Sequence, residues 1–376
     1  MAKIVHITAH LGAGAGKAIS GLAVADKANN RHSICLLAEP QRFNHIDYCR
    51  ENGIPVHIGG DLERIIAEND IAVINWWEHR STDALMADFP AVDCQKLVWL
   101  HRNGIYDPPL PQICLDFTDN FLVTSEFSKE HPKLKNAPLV YGFGNFEPLD
   151  SEYKVDYSQN NDFFTVGFVG EPKYKKLPDD FLDYCEEVAG AIPNTRFVMA
   201  GEPEQALIDN VRDRRLQGYF DFRGWTENVR ELLTSFDVFG YLLRPNTFAT
   251  TENAVLEALA AGLPCVVSRE PLGGYLLEDG KSGFLADSPK EYARIMKRLH
   301  DDGGLRRRVG TQAREYCAAK YVTADNVSRF DDAVAALMDN GHFPVCGECG
   351  PAVCITDPTE YLDDCRHELL ARLEGV

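Results

Sequence analysis

The residues between Tyr241 and Val267 combine small polar side chains with the pattern of a strand followed by a helix. Thr250, Thr251 and Asn253 can accept hydrogen bonds from the backbone N–H groups that a helix leaves unpaired where it begins. A helix that begins at the carboxyl end of a strand offers these N–H groups, and the positive end of its dipole, to an anion. This stretch therefore predicts a binding site for a phosphate or a diphosphate.

Glu257 is the unusual residue of this stretch, because a carboxylate one turn into the helix repels a bound phosphate. The repulsion is avoided if the side chain reaches past the phosphate and accepts hydrogen bonds from hydroxyl groups. Ribose and other sugars carry such hydroxyls, so Glu257 indicates a ligand with sugar hydroxyls beside its phosphate.

The elements that must position these residues follow from the apolar pattern. Phe236–Leu243 is an apolar and aromatic run of strand length, and the apolar residues from Ala254 to Ala260 are spaced for a buried helical face. Gly262 predicts the end of the helix, and Pro264 prevents the helix from resuming. Cys265–Val267 is then typical of a further strand.

The segment ENAVLEALAAGLPCVV resembles the donor site of retaining GT-B glycosyltransferases, in particular the large group called family 4. FRGWTENVRELLTSFDVFGYLL before it and LEDGKSGFLAD after it resemble the flanking segments of that family, and the resemblance extends from Phe164 to Asp287. It implies an α/β protein of two Rossmann-like, doubly wound domains that face each other across a cleft. It also implies that a UDP-, GDP- or ADP-sugar is bound at Thr251, Glu252, Asn253, Ala254 and Glu257.

Length and composition are consistent with this interpretation. A chain of 376 residues with 45% hydrophobic residues predicts two α/β domains with sizeable cores. The net charge of -19 disfavours nucleic acid and a generally basic, lipid-binding surface, and leaves at most a weak peripheral association through a local patch. No apolar run approaches the length of a transmembrane helix, and the first residues lack a secretory core, so we expect a cytoplasmic protein. Eleven scattered cysteines favour buried thiols in a reducing compartment.

Strand and helix patterns alternate along the chain, which predicts parallel sheets. A polar, turn-rich stretch interrupts the alternation and is interpreted as a linker. The expected division is an acceptor-side domain at 1–145, a linker at 146–161, a nucleotide-sugar-binding domain at 162–322, a helix crossing back to the first domain at 323–340, and a cysteine-containing extension at 341–376.

A glycine-rich segment follows the first predicted strand, and it includes Gly14, Gly16 and Lys17. A Walker A phosphate loop requires glycine where the chain has Leu11, and a dinucleotide fingerprint requires glycine where it has Lys17. One interpretation is a tight turn that packs a helix against the sheet. The family resemblance favours another, a loop at Gly14–Lys17 that faces the phosphates of the donor.

His101 follows the strand predicted at Leu97–Leu100. In open α/β sheets the ligand binds beyond the carboxyl ends of the strands, which places His101 where a substrate would lie. A structural or solvated histidine is the alternative. Because family members carry a histidine at a comparable strand end, the resemblance implies that His101 binds a sugar hydroxyl or the acceptor rather than titrates.

The segment GFVGEPKYKKL corresponds to the family's strand and loop that normally supply an arginine and a lysine to the donor diphosphate. Gly170 lies at the strand end, Glu171 replaces the arginine, and Lys175 or Lys176 takes the role of the lysine. A lysine can bind phosphate as a point charge. The alternative is a solvated lysine cluster at the start of a helix.

The resemblance places the nucleotide base against Gly201 and the loop of Arg223 to Trp225. Trp225 either stacks on the base or packs inside the domain.

A second departure concerns a pair of glutamates that many family members carry eight residues apart, the first touching the transferred sugar and the second the ribose. Glu257 matches the second, but Ala249 occupies the first position. Glu252 aligns with a position whose backbone, rather than side chain, is used. Arg244 is available to neutralise diphosphate charge in place of the missing arginine.

The resemblance implies a front-face reaction, in which the departing diphosphate helps to deprotonate the acceptor. No metal is then required for catalysis, and the catalytic residues expected are His101, Lys175, Lys176, Arg244 and Glu257. The extension contains Cys346, Cys349, Cys354 and Cys365, which include a Cys-x2-Cys pair. These four cysteines could bind zinc, with the pair as its first two ligands. Because the later spacings do not match a common zinc ribbon, free or redox-active thiols and a dimer contact are the alternatives.

The function expected is the transfer of a sugar, with retention, from a nucleotide sugar to a glycan, lipid or small molecule, as in polysaccharide biosynthesis. Because Glu171 and Ala249 depart from the family pattern, the same fold could instead serve as a scaffold that binds a nucleotide sugar or a glycan without catalysis. A related enzyme that hydrolyses or epimerises a nucleotide sugar is the third possibility.

Overall fold

A computed structural model of the chain describes residues 1–106, 108–143, 155, 162–226 and 228–340. Cys346, Cys349, Cys354 and Cys365, proposed above as metal ligands, lie outside the described residues, as does nearly all of the predicted linker. The described residues form two compact units, one ending near residue 145 and resuming at Thr323, the other lying between these points. None of the described helices is both long and apolar enough to cross a lipid bilayer.

The first unit contains a six-stranded parallel sheet with the order β3-β2-β1-β4-β5-β6. Its strands are β1 (Lys3–Thr8), β2 (Arg31–Leu36), β3 (Val56–Ile58), β4 (Ile71–Trp76), β5 (Gln95–Leu100) and β6 (Phe121–Val123). Its helices are α1 (Ala13–Ala25), α2 (Asn44–Glu51), α3 (Leu62–Ala67), α4 (Arg80–Ala87), α5 (Gln112–Phe117) and α13 (Thr323–Asn340). Two short 3₁₀ turns, Glu126–Glu130 and Pro132–Leu134, follow β6.

The second unit repeats this architecture with the strand order β12-β11-β10-β7-β8-β9, again all parallel. Its strands are β7 (Phe164–Val169), β8 (Thr195–Ala200), β9 (Phe220–Gly224), β10 (Val238–Tyr241), β11 (Cys265–Ser268) and β12 (Gly283–Ala286). Its helices are α6 (Phe181–Ala191), α7 (Gln205–Asp213), α8 (Val229–Thr234), α9 (Asn253–Ala261), α10 (Gly274–Leu276), α11 (Pro289–Asp301) and α12 (Gly303–Lys320). Because helices cover both faces of each sheet, the strands are apolar along most of their length.

The prediction of two doubly wound α/β units is confirmed, with two local corrections. Gly14 and Gly16 lie in the first turn of α1 rather than in a loop. Arg223 and Gly224 are the last residues of β9, so that only Trp225 of that trio lies beyond the strand.

The last helix, α13, belongs to the core of the first unit. Phe330 and Leu337 are fully buried there among residues of β1, β2 and α1. A polar network reinforces the attachment: the side chain of Asn30 donates to both Asp26 and Asp331, at 2.9 and 2.7 Å. Burial and the neighbouring carboxylate of Asp26 raise the pKa of Asp331 to about 6.

Two glycines of the second unit illustrate how tightly its sheet is packed. Gly167, in the middle of β7, lies under the ring of Phe236, and a methyl group added to Gly167 would come within 1.9 Å of that ring. Gly190, near the end of α6, is exposed and has no atom within 4 Å of the same added group. β7 can therefore carry only glycine at this point, whereas α6 accepts a side chain.

We expect Gly167→Ala to lower the free energy of unfolding of the second unit by about 1–3 kcal/mol, because the buried ring of Phe236 must shift. Gly190→Ala is the matched control and should raise stability by about 0.5 kcal/mol, since alanine favours the helix. Urea unfolding followed by circular dichroism measures both. Equal unfolding midpoints for the two variants would contradict this packing.

Candidate active site

One corner of the second unit brings together the ends of β7, β8 and β10 and the start of α9. Gly170 follows β7 with a φ of 147°, and Gly201 follows β8 with a φ of 126°. A methyl group on Gly201 would lie 1.7 Å from the carbonyl oxygen of Gly170. Both positions therefore favour glycine, and the ends of β7 and β8 lie close together.

α9 begins at Asn253, and its N-cap residue is Glu252. The prediction that Thr250, Thr251 and Asn253 cap this helix is wrong in its detail, because the cap position falls on Glu252, whose side chain makes no capping hydrogen bond. The backbone N–H groups of Asn253 and Ala254 have no acceptor among the described residues. The helix ends as predicted, with Gly262 in the left-handed conformation at a φ of 80°.

The carboxylate of Glu252 points away from its own helix and joins two other elements. Its Oε2 accepts a hydrogen bond of 2.5 Å from the hydroxyl of Tyr241, at the end of β10, and one of 2.9 Å from Nζ of Lys176. Glu252 is only 7% exposed. Burial, followed by the charge of Glu252, raises the pKa of Tyr241 well above its ordinary value, so the tyrosine remains a hydrogen-bond donor.

The two lysines proposed for the donor diphosphate differ in their surroundings. Nζ of Lys176 is mostly shielded and faces Glu252, whereas Lys175 is exposed and pairs with Glu171 at 3.0 Å. Burial works to raise the pKa of Glu171, but the hydrogen bond and charge of Lys175 outweigh it, and the net pKa is lowered. Lys176 is therefore the lysine that the fold places at the mouth of α9.

Arg244 and Phe248 complete this corner. The backbone N–H of Arg244 donates to the carbonyl oxygen of Lys176 at 2.8 Å, and the ring of Phe248 lies 5.7 Å from Nζ of Lys176. Ala249, at the position of the missing glutamate, is 2% exposed. Glu257 lies half-buried on α9, and Oδ1 of Asn253 is buried without a hydrogen-bond partner among the described residues.

The residues predicted to face the nucleotide base lie beyond β8 and β9. Trp225 is 53% exposed, and its backbone N–H donates to Oε1 of Glu202 at 3.2 Å. Trp225 therefore lies outside the core of the domain. Arg223 is exposed and pairs with Asp221 at 2.8 Å.

In the first unit, Gly14, Gly16 and Lys17 do not form the loop that the sequence predicted. A methyl group on Gly16 would lie 2.4 Å from the carbonyl carbon of Leu11, so Gly16 allows α1 to pack closely on the chain that precedes it. The packing interpretation therefore accounts for Gly16. Gly14 is exposed, and Lys17 is half-buried on the same helix.

His101 lies at the end of β5, as predicted. Its Nε2 is 3.1 Å from Oδ1 of Asn75, and its ring lies 4.6 Å from that of Trp99. Burial lowers the pKa of His101 to about 3. The ring is consequently neutral near pH 7 and can exchange hydrogen bonds with hydroxyl groups, in keeping with the non-titrating role expected from the sequence.

An aromatic group at the same edge of the first sheet was not anticipated. Trp77 lies between His10 and His79, with ring centroids 4.7 and 5.4 Å away. Glu78, which lies between Trp77 and His79 in sequence, has a φ of 65°, and this is unusual for a residue other than glycine. The carboxylate of Glu78 pairs with Arg102 at 2.5 Å. The run Trp-Trp-Glu-His after an apolar strand was the available signal.

Among the described residues, no group of three or more histidine, cysteine, aspartate or glutamate side chains could hold a metal ion. The seven described cysteines are unpaired, and all but the half-buried Cys94 are buried.

Both units have the fold of GT-B glycosyltransferases, as comparison with solved structures shows. Anabaena HepE in complex with UDP-glucose matches with a TM-score of 0.73 at 16% identity, over 90% of this chain and 100% of that one. Sucrose-phosphate synthase from Thermosynechococcus elongatus matches with a TM-score of 0.64 at 14% identity, over 90% and 100%.

Sequence comparison finds a family match within the second unit. Residues 163–302 match the family described as glycosyl transferases group 1, so the resemblance predicted from the sequence is confirmed. The alpha-monoglucosyldiacylglycerol synthase of Acholeplasma laidlawii is 24% identical over 167 residues, 43% of this chain and 42% of that protein. An Escherichia coli galactosyltransferase acting on GlcNAc-diphosphoundecaprenol is 25% identical over 239 residues, which are 60% of this chain and 59% of that protein. The chain thus matches less than two thirds of the length of either relative.

The buried, neutral state of His101 predicts a pH dependence of stability. The unfolded chain protonates this histidine below about pH 6.5, whereas the folded protein does so only near pH 3. Stability is therefore complete above pH 6.5 and decreases as the pH falls toward 3. When the pH is lowered from 7.5 to 5.0, we expect the free energy of unfolding to fall in both proteins. The fall should be about 1–2 kcal/mol smaller for His101→Gln than for the wild type.

Urea unfolding of both proteins at the two pH values measures this difference. The comparison at pH 7.5 provides the control, because it isolates the cost of the substitution itself. Parallel losses in the two proteins would show that His101 titrates normally in the folded state.

Proposed function

We propose that the protein is a retaining glycosyltransferase that uses a nucleotide-diphosphate sugar, with UDP-sugars as the first candidates. The second unit binds the donor and the first unit binds the acceptor. The UDP complexes of the structural neighbours support the choice of nucleotide. The acceptor is a glycan, a lipid or a small molecule, and the donor screen described below also tests for it.

The observation that carries the proposal is the convergence of anion-binding groups at the start of α9. The N–H groups of Asn253 and Ala254, which have no acceptor among the described residues, and the dipole of α9 lie at the same helix start where Lys176 contacts Glu252. Gly170 and Gly201 leave the adjoining sheet edge free of side chains. Such a corner suits a diphosphate, and Glu257, further along the helix, is in sequence position to accept ribose hydroxyls.

In the proposed reaction, the bond between the anomeric carbon of the sugar and the β-phosphate oxygen breaks. A new bond forms from that carbon to the acceptor oxygen on the same face, and the acceptor proton passes to the departing phosphate. Lys176 and the N–H groups of α9 stabilise the negative charge that develops on the leaving diphosphate. Arg244 adds positive charge beside Lys176.

The half-buried ring of Trp77, with His10 and His79 beside it, is the proposed contact for the acceptor. An aromatic face can pack against the apolar side of a sugar ring, and the neutral imidazole of His101 can bind a hydroxyl.

A screen of donors tests the proposal. Each of UDP-glucose, UDP-galactose, UDP-N-acetylglucosamine, GDP-mannose and ADP-glucose is added, and the shift in melting temperature and the release of nucleoside diphosphate are measured. The proposal predicts a selective shift for one base and release that increases with a cellular glycan and lipid extract. If none of the five binds, the proposal is wrong.

A non-catalytic scaffold is the second candidate, favoured by Ala249 in place of the sugar-contacting glutamate and by the Glu252 contact to Lys176. It predicts that a nucleoside diphosphate binds while no sugar donor is consumed. The same screen therefore separates the two candidates.

We expect Lys176→Ala to weaken the binding of UDP at least tenfold, because the variant removes the shielded cation at the mouth of α9. Lys175→Ala is the matched control, since Lys175 is exposed and paired with Glu171. It should change the dissociation constant by less than about threefold, as is typical of exposed ion pairs. Isothermal titration with UDP measures both, and the reverse order of effects would assign the phosphate to Lys175.

A further inference from the structure

We propose that Glu252 sets the affinity of the donor site by competing with the donor diphosphate for Lys176 and Tyr241. This inference rests on the proposed function, because it concerns the same anion-binding corner. In the structure, the carboxylate of Glu252 occupies the role of the anion, and a bound diphosphate must displace it.

The side chain of Glu252 contacts Tyr241 and Lys176 instead of capping its own helix. A glutamate at an N-cap position has free backbone N–H groups within its own helix, yet Glu252 makes no capping bond. Its Oε2 accepts instead from Tyr241 and Lys176, at 2.5 and 2.9 Å. The same atom therefore accepts hydrogen bonds from two side-chain donors at the mouth of α9.

The negative charge of Glu252 opposes the binding of a phosphate at Lys176. A phosphate oxygen within hydrogen-bonding distance of Lys176 Nζ would lie about 4–5 Å from Oε2 of Glu252, since both oxygens would share one ammonium group. Two anions at that distance repel strongly in a site from which water is largely excluded, and Glu252 is 7% exposed. The single charge of Lys176 cannot compensate both anions fully, so the carboxylate and the diphosphate compete for this ammonium group.

Once the carboxylate of Glu252 has moved away, a bound diphosphate can contact more hydrogen-bond donors than the carboxylate did. The N–H groups of Asn253 and Ala254 have no acceptor among the described residues and remain available to a ligand. A diphosphate can engage these groups together with Lys176, whereas the carboxylate of Glu252 engages only the side chains. Binding is therefore an exchange of anions, and the carboxylate lowers the affinity without blocking the site.

The test is the substitution Glu252→Gln, which removes the charge and keeps the shape. The amide oxygen of glutamine still accepts from Tyr241 and Lys176. We expect the dissociation constant for UDP, measured by isothermal titration, to fall at least tenfold. Glu187→Gln is the matched control, because Glu187 is exposed on α6 and its substitution changes the net charge equally; UDP affinity should then stay within about twofold of the wild type.

Glu252→Ser is a second variant that tests the inference if Glu252→Gln fails to fold. Serine carries no charge and is a favoured N-cap residue. It should also strengthen UDP binding. Unchanged or weaker UDP binding in both Glu252 variants, with wild-type melting temperatures, would overturn the inference and leave the proposed function standing. Absence of UDP, GDP and ADP binding in the wild type and in both variants would instead overturn the proposed function.

Discussion

The second unit depends on one interaction, the hydrogen-bonded ion pair of Glu252 and Lys176 with the hydroxyl of Tyr241. It joins the loop after β7, the end of β10 and the start of α9. A lysine and a glutamate that are both largely removed from water are tolerated only when they are paired. The pair therefore holds the anion-binding groups in place while no ligand is bound, and it gives the site an internal anion.

The backbone fixes where this corner lies, and the side chains decide what it binds. Gly201 approaches the carbonyl group of Gly170 so closely that it cannot carry a side chain, and the positive φ of Gly170 favours glycine there too. Glu171 and Ala249 then change the chemistry without changing the frame. The GT-B fold and the glycosyl transferases group 1 match are consequently compatible with a donor site whose charges differ from those expected of the family.

Local patterns in the sequence predicted most of the fold, including the helix start that forms the candidate site. Buried parallel strands are continuous apolar runs, and Gly262 marks the end of α9, so neither required knowledge of distant contacts. The partners of Glu252 could not be predicted, because Lys176 precedes it by 76 residues and only the fold brings the two together. For the same reason, the pattern of adjacent lysines could not distinguish Lys176 from Lys175. The neutral state of His101 likewise depends on its burial in the folded unit, beside Asn75 and Trp99.

The central claim is that a diphosphate binds at the start of α9 after displacing the carboxylate of Glu252. A crystal structure of the protein soaked with UDP tests this claim most directly. The account predicts phosphate density on the N–H groups of Asn253 and Ala254 and on Nζ of Lys176, with the side chain of Glu252 rotated away. UDP bound elsewhere, with Glu252 still on Lys176 and Tyr241, would contradict it.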